Sequence, residues 1–146
     1  MSRLQPAIFR KAHGFSIVEL MVVVAIVGIG LAIALPAYNQ YMVRNKRVGA
    51  KAVLLEIVSR EERYAAVNRA YVAADSTSAV ESGLGFTIPG EVSSNYDFSV
   101  TLASVGPTGV SNTFVATAAP VSGSSQVADG TLQINQFGLR MPPEKW

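Results

Sequence analysis

The apolar residues of this chain follow three different rhythms in succession. From Phe15 to Ala37 they are nearly continuous, and the only ionisable side chain among them is Glu19. A stretch of 23 residues crosses a hydrocarbon layer of roughly 30 Å as a helix, at about 1.5 Å per residue. Beyond Tyr38 the rhythm changes to three- and four-residue steps. Ala50, Val53, Leu54, Ile57, Val58, Tyr64 and Ala65 share one face of a helix, with Arg47, Lys51, Arg60 and Arg63 elsewhere and Glu61 interrupting the stripe. From residue 96 the period becomes two: Tyr96, Phe98, Val100 and Leu102 alternate with Asp97, Ser99, Thr101 and Ala103, the mark of a half-buried strand.

These rhythms predict one long helix over 15–69, kinked or loosened at Pro36, which lacks the N–H its ladder position needs. Strands are expected over about 96–103, 113–119 and 131–136, with Gly106-Pro107-Thr108-Gly109 and residues 122–125 as turns. Residues 70–95 hold Asp75-Ser76-Thr77-Ser78, Gly83, Gly85 and Pro89-Gly90, and read as a loop zone. Three short strands with one apolar face need something to pack on, and the stripe from Ala50 to Ala65 supplies it. The expected fold is α+β: a long N-terminal helix whose second half packs on a small antiparallel sheet. The expected core sets Val53, Leu54, Ile57 and Val58 against Tyr96, Phe98, Val100, Leu102, Leu132 and Ile134.

A mean hydropathy of +0.31 is high for a wholly soluble protein, and the apolar run accounts for it. The formal charge of +2 is a property of the N-terminus. Arg3, Arg10 and Lys11 precede Gly14 in a leader without acidic residues; removing them leaves nine basic side chains against ten acidic ones. Residues 38–69 hold seven basic and three acidic side chains, residues 70–146 two basic (Arg140 and Lys145) and six acidic. An acidic distal part repels phosphate, so nucleic acid is disfavoured as a partner. The cluster Arg44-Asn45-Lys46-Arg47 reads as a basic flank at a membrane surface.

Catalysis is disfavoured too. The chain has no cysteine, and its single histidine, His13, lies in the leader. Without both, the commonest general base and nearly every transition-metal site are lost. No catalytic residue, metal or cofactor is assigned; Asp75, Asp97 and Asp129 lack the spacing of a calcium loop.

The remaining chemistry is in Gly14-Phe15-Ser16-Ile17-Val18-Glu19-Leu20. An ionised residue inside a bilayer costs roughly 2.5–3.5 kcal/mol, so Glu19 marks a function. Gly14 gives a protease close access to the backbone before Phe15. Cleavage there frees a charged amine on Phe15, and an incoming subunit's amine can compensate a neighbour's Glu19. Hydrophobic packing attracts without register, and a buried charge pair adds it. The rival readings are an ordinary secretory signal ending at Ala32-Ile33-Ala34 and a plain anchor with Glu19 reaching the interface.

With these residues in place, the chain resembles a type IV pilin. The stretch from Gly14 to Leu20 is similar to the prepilin peptidase recognition and methylation motif. Ala34-Leu35-Pro36-Ala37-Tyr38 and Arg44–Arg47 resemble the pilin helix. Arg60-Glu61-Glu62-Arg63-Tyr64 and Asp129-Gly130-Thr131-Leu132 resemble PilE-like minor pilins. The resemblance implies removal of the leader 1–14, N-methylation of Phe15, a transmembrane and filament-core helix over 15–37, and a head over 38–146. That head comprises an amphipathic helix 38–69, loop 70–95, a sheet over about 96–137 and a tail. It further implies an inner-membrane precursor that later joins a cell-surface pilus. Its partners would be other pilin subunits, the prepilin peptidase, the inner-membrane assembly platform and, before assembly, lipid. Such pilins commonly close a C-terminal loop with a cysteine pair, which this chain lacks. The first functional reading is a minor, PilE-like pilus subunit acting in assembly. The alternatives are a type II secretion pseudopilin and, third, a DNA-uptake pilin.

Overall fold

The computed structural model describes residues 14–105 and 111–146, so the leader before Gly14 and the expected turn at 106–109 lie outside the described residues. Helix α1 (Ile17–Asn68) is followed by α2 (Thr77–Leu84), α3 (Gly90–Ser93), strands β1 (Tyr96–Val105), β2 (Ser111–Pro120), β3 (Leu132–Asn135) and β4 (Arg140–Met141), and a short 3-10 turn (Pro143–Lys145). The chain divides into two compact units, residues 1–39 and 40–146.

In the first unit, α1 begins with Leu20 N–H donating to the Ser16 carbonyl. Over residues 17–37 its apolar side chains are exposed throughout. In lipid a backbone without water must bond to itself, which a helix does. The helical assignment continues through Pro36.

The second unit has the expected α+β plan. The sheet is an antiparallel meander in the order β1-β2-β3-β4. Its inner face is laid out in rows: Phe98 opposes Ala118, which opposes Leu132, and Val100 opposes Ala116, which opposes Ile134. Two alanines on the middle strand, flanked by large residues, leave a shallow trough. Ala50, Val53, Leu54 and Ile57 of α1 share one buried cluster with these rows. Of the expected core, Val58 and Leu102 are only partly buried, while Phe114, Val80, Leu84 and Ile88 join it.

Three expectations need correction. Residues 70–95 are not a loop: the residues read as breakers bracket two helices. Ser76 stands before α2, and Gly85, at φ +63°, ends it in the left-handed conformation that glycine adopts without strain. Gly83 lies where a Cβ would come within 3.0 Å of Val72, so its role is close approach rather than helix breaking. The three strands are four, because the chain turns back at residues 136–139. The Asn135 side chain accepts from the N–H groups of Phe137 and Leu139, and this turn brings Arg140–Met141 against β3. Finally, the buried stripe of α1 ends at Glu61, and Tyr64 is exposed.

Candidate functional site

Two regions carry candidate chemistry. The first is the start of α1. Gly14 and Phe15 precede the helix, both exposed, and Glu19 stands in its first turn. A carboxylate is favoured there by the partial positive charge of unpaired N–H groups, by roughly 0.3–1 kcal/mol. That term is small beside the cost of an unpaired carboxylate in an apolar environment. Pro36 lies inside the same helix, remote in sequence from Gly14, Phe15 and Glu19.

The second region is in the head, and the segment-wise charge count missed it. That count set the basic residues of the helix apart from the acidic distal part; the fold packs them together. Arg47 pairs with Asp129, its Nε donating to Oδ2 at 2.6 Å across 82 residues of sequence. The Lys145 ammonium donates to the Asp129 carbonyl. Lys46 donates to the Asn95 side chain at 2.9 Å and to Ser125 at 3.3 Å. Two cations approach the Trp146 ring: Lys51 Nζ is 5.9 Å and Arg140 Cζ 5.2 Å from its centroid. Both distances are in the range of cation–π attraction. Partial burial, followed by the charges of Arg47 and Arg140, pushes the Lys51 pKa down.

Asp129 is the hub of this cluster. It is buried, and Tyr96 Oη donates to it at 3.4 Å and to Gln126 Oε1 at 2.9 Å. Burial raises the Tyr96 pKa, with Arg47 acting in the opposite direction. The C-terminal segment is held here by the Arg47–Asp129 ion pair, the Lys145 bond and the contacts of Trp146 with two cations. The other two aspartates considered for calcium are occupied elsewhere: Asp97 accepts from the Thr77 N–H at 3.1 Å, and Asp75 from Ser76 Oγ at 3.2 Å. One signal for this site was present in the sequence, the four-residue spacing of Arg47 and Lys51 on one helix face.

Glu61 is a further group that periodicity alone did not explain. It is fully buried, with Oε2 accepting from the Val72 N–H at 3.0 Å and Oε1 without a partner among the described residues. Burial pushes its pKa up, the Val72 bond opposes that, and the Glu62 charge adds to the rise. Its position one turn beyond Ile57 on the stripe was the available clue.

Comparison with known proteins finds matches to two family models and to several fimbrial proteins. Residues 36–133 match the family described as "Type IV minor pilin ComP, DNA uptake sequence receptor". Residues 9–35 match the prokaryotic N-terminal methylation motif. The chain is 35% identical over 104 residues to the fimbrial protein EcpC of Eikenella corrodens, covering 66% of this chain and 58% of that protein. It is 58% identical over 33 residues to the type IV major fimbrial protein FimA of Dichelobacter nodosus, covering 23% of this chain and 21% of that protein. The chain thus spans about three-fifths of the length of the first of these relatives and a fifth of the second. No solved structure matches it.

Proposed function

The chain belongs to the type IV minor pilin family, and from that premise we propose that it is a minor, PilE-like subunit acting in pilus assembly. Assembly with other pilin subunits in a filament follows from the family; the processing steps and the assembly role are this proposal's own. The precursor sits in the inner membrane through residues 15–37. The prepilin peptidase cuts between Gly14 and Phe15, Phe15 is methylated, and the assembly platform moves the subunit from lipid into the fibre. The observation that carries the proposal is the exposed apolar stretch of α1 over residues 17–37, with one carboxylate, Glu19, in its first turn. Lipid and then neighbouring helices cover such a surface, and Glu19 sets the register against an incoming Phe15 amine.

Substituting Glu19 by Ala removes a charge that the bilayer disfavours, so membrane insertion is retained while recovery in sheared fibres falls. An alanine variant recovered at the parental level overturns the register role. N-terminal sequencing of the membrane-derived protein finds Phe15 first, and a mature end at Leu35 overturns the cleavage assignment.

A second reading, DNA capture, is favoured by one observation: Lys51 and Arg140 converge on the Trp146 ring, next to Lys145. The family description points the same way. A gel-shift titration of the full chain in detergent tests it. Binding that weakens with salt, and whose salt slope falls by about 0.9 per lost phosphate contact in the Lys51→Ala, Arg140→Ala double variant, supports capture. Parental binding unchanged by the double substitution rejects this face.

A further inference from the structure

Between α1 and α2 the chain makes a short strap, residues 69–73, that is pinned at both ends. At its start the Arg69 N–H donates to the Ala65 carbonyl at 2.8 Å. Just past its far end Ala74 and Val100 exchange two backbone bonds, at 3.0 and 2.6 Å. Between these pins, the strap is bonded to the other described residues of the head only through carboxylates. The Val72 N–H donates to Glu61 Oε2 at 3.0 Å, and Tyr71 Oη donates to Glu62 Oε1 at 3.1 Å. The rest of the hold is apolar. The Tyr71 and Phe114 ring centroids are 4.7 Å apart, and the Val72 side chain lies close to Gly83. The strap also begins under strain, since Arg69 sits at φ +58° without being glycine.

The group beneath it is badly served when charged. Glu61 is fully buried, and its Oε1 has no partner among the described residues. A neutral carboxyl loses one hydrogen bond there, whereas a carboxylate also loses the solvation of a charge. Among the described residues no cation pairs with it. On α1, Glu62 adds like charge, Arg60 is bonded to Glu56, and Arg63 donates to the Ser59 hydroxyl. On the strap, Arg69 is exposed, and burial together with its bond to Glu62 pushes the Tyr71 pKa up, so the phenol stays neutral. Beyond the strap, Asp75 accepts from Ser76 Oγ. Glu81 of α2 accepts from the Ile88 N–H at 2.6 Å. On β1, Asp97 accepts from Thr77 and the Tyr96 phenol donates to Gln126. Strands β2 and β3 carry no titratable side chain.

We propose that residues 69–73 act as a proton-gated strap, closed over α1 while Glu61 is neutral and lifted when Glu61 ionises. Lifting admits water to the carboxylate, loosens the Tyr71–Phe114 contact and relaxes Arg69. Burial makes the closed strap hold the Glu61 proton more tightly than the open one does. The Val72 bond opposes that rise without reversing it, and the Glu62 charge adds to it. The open fraction is therefore lowest in acid. It rises by up to about tenfold per pH unit from the ordinary carboxylate range to the closed-state pKa, and is level above it. What the proton gates is the half-buried pair Tyr71 and Val72. The gate is a property of the head and holds whether or not the chain joins a fibre.

Hydrogen exchange of the full chain in detergent micelles reads the strap directly. Deuterium uptake is followed by mass spectrometry from pH 5 to 8 on fragments covering residues 69–74 and, as a reference, 114–119 of β2. Each rate is divided by the chemical exchange rate of an unprotected amide at the same pH. Protection of the strap is expected to fall with rising pH, by up to about tenfold per unit, while the β2 reference stays constant. Glu61→Gln should abolish the fall and leave the strap protected throughout. Glu62→Gln should retain a fall, because the trapped charge is that of Glu61. Strap protection that is flat with pH in the parental chain overturns the gate, whatever the variants do. So does a fall that persists in Glu61→Gln, or one that disappears in Glu62→Gln. Parallel loss of protection in the β2 reference also overturns it, because the whole head is then loosening rather than the strap.

Discussion

Replacing Glu61 by Gln should stabilise the head at neutral pH and remove part of its pH dependence. Glu61 is fully buried, and one of its two oxygens has no partner among the described residues. An orphaned buried polar group costs roughly 1–3 kcal/mol, and more when charged. Gln keeps an oxygen to accept from Val72 N–H and discards the charge, but its amide hydrogens inherit the orphaned place, so the net gain at pH 7 is about 1–2 kcal/mol. The direction with pH follows from the raised pKa, whose causes are burial and then the neighbouring Glu62 charge. The folded state holds the Glu61 proton more tightly than the unfolded chain does. Stability from this group is therefore complete below the ordinary carboxylate range and is lost as pH rises through the folded-state pKa. Within that window the slope approaches about 1.4 kcal/mol per pH unit. For a unit near 100 residues each kcal/mol moves Tm by about 4–8 °C. Thermal melts of parent and Gln variant from pH 4 to 8, subtracted pairwise, cancel the titration of every other carboxylate. The variant's advantage should be near zero or negative in acid and grow toward neutrality. A difference that is flat with pH, or that shrinks as pH rises, refutes the reasoning.

Three further outcomes follow from the packing. Leu54→Ala should cost about 2–5 kcal/mol and Phe98→Ala about 3–5 kcal/mol in denaturant titrations, since both are fully buried; losses below 1 kcal/mol would mean that the trough collapses without penalty. Asp129→Ala leaves Arg47 half-buried without its counter-charge, so it should destabilise toward the lower end of the ~3–5 kcal/mol seen for broken buried pairs, and limited proteolysis should cut first within residues 122–146. Arg69 follows α1 at φ +58°, where glycine has no steric cost, so Arg69→Gly should raise stability by about 1 kcal/mol in the same titrations.

What the sequence determined on its own is local and periodic. The apolar run, the spacing from Gly14 to Glu19, the stripe through Leu54 and Ile57 and the alternation from Tyr96 to Leu102 all repeat over a few residues, and a window of ten reads them. The family resemblance rests on the Gly14–Leu20 stretch and on short runs such as Arg60–Tyr64 and Asp129–Leu132, which are local too. Even the missed helix α2 had its boundary residues on view, Ser76 and Gly85, but eight residues hold too few turns for a period to show. The tertiary structure alone decided which charges meet. Arg47 finds Asp129 at a separation of 82 residues, and Lys51 meets Trp146 only because the meander returns the C-terminus to the helix. No summation over consecutive residues can register that convergence. The burial of Glu61 is of the same kind: its place on the stripe was legible, but that the chain at Val72 would fold over it, satisfying one oxygen and stranding the other, depends on where a later segment comes to rest. Short-range periods decide which elements form, and long-range chain return decides which side chains share a dielectric environment, so the chemistry of this head is set by the second.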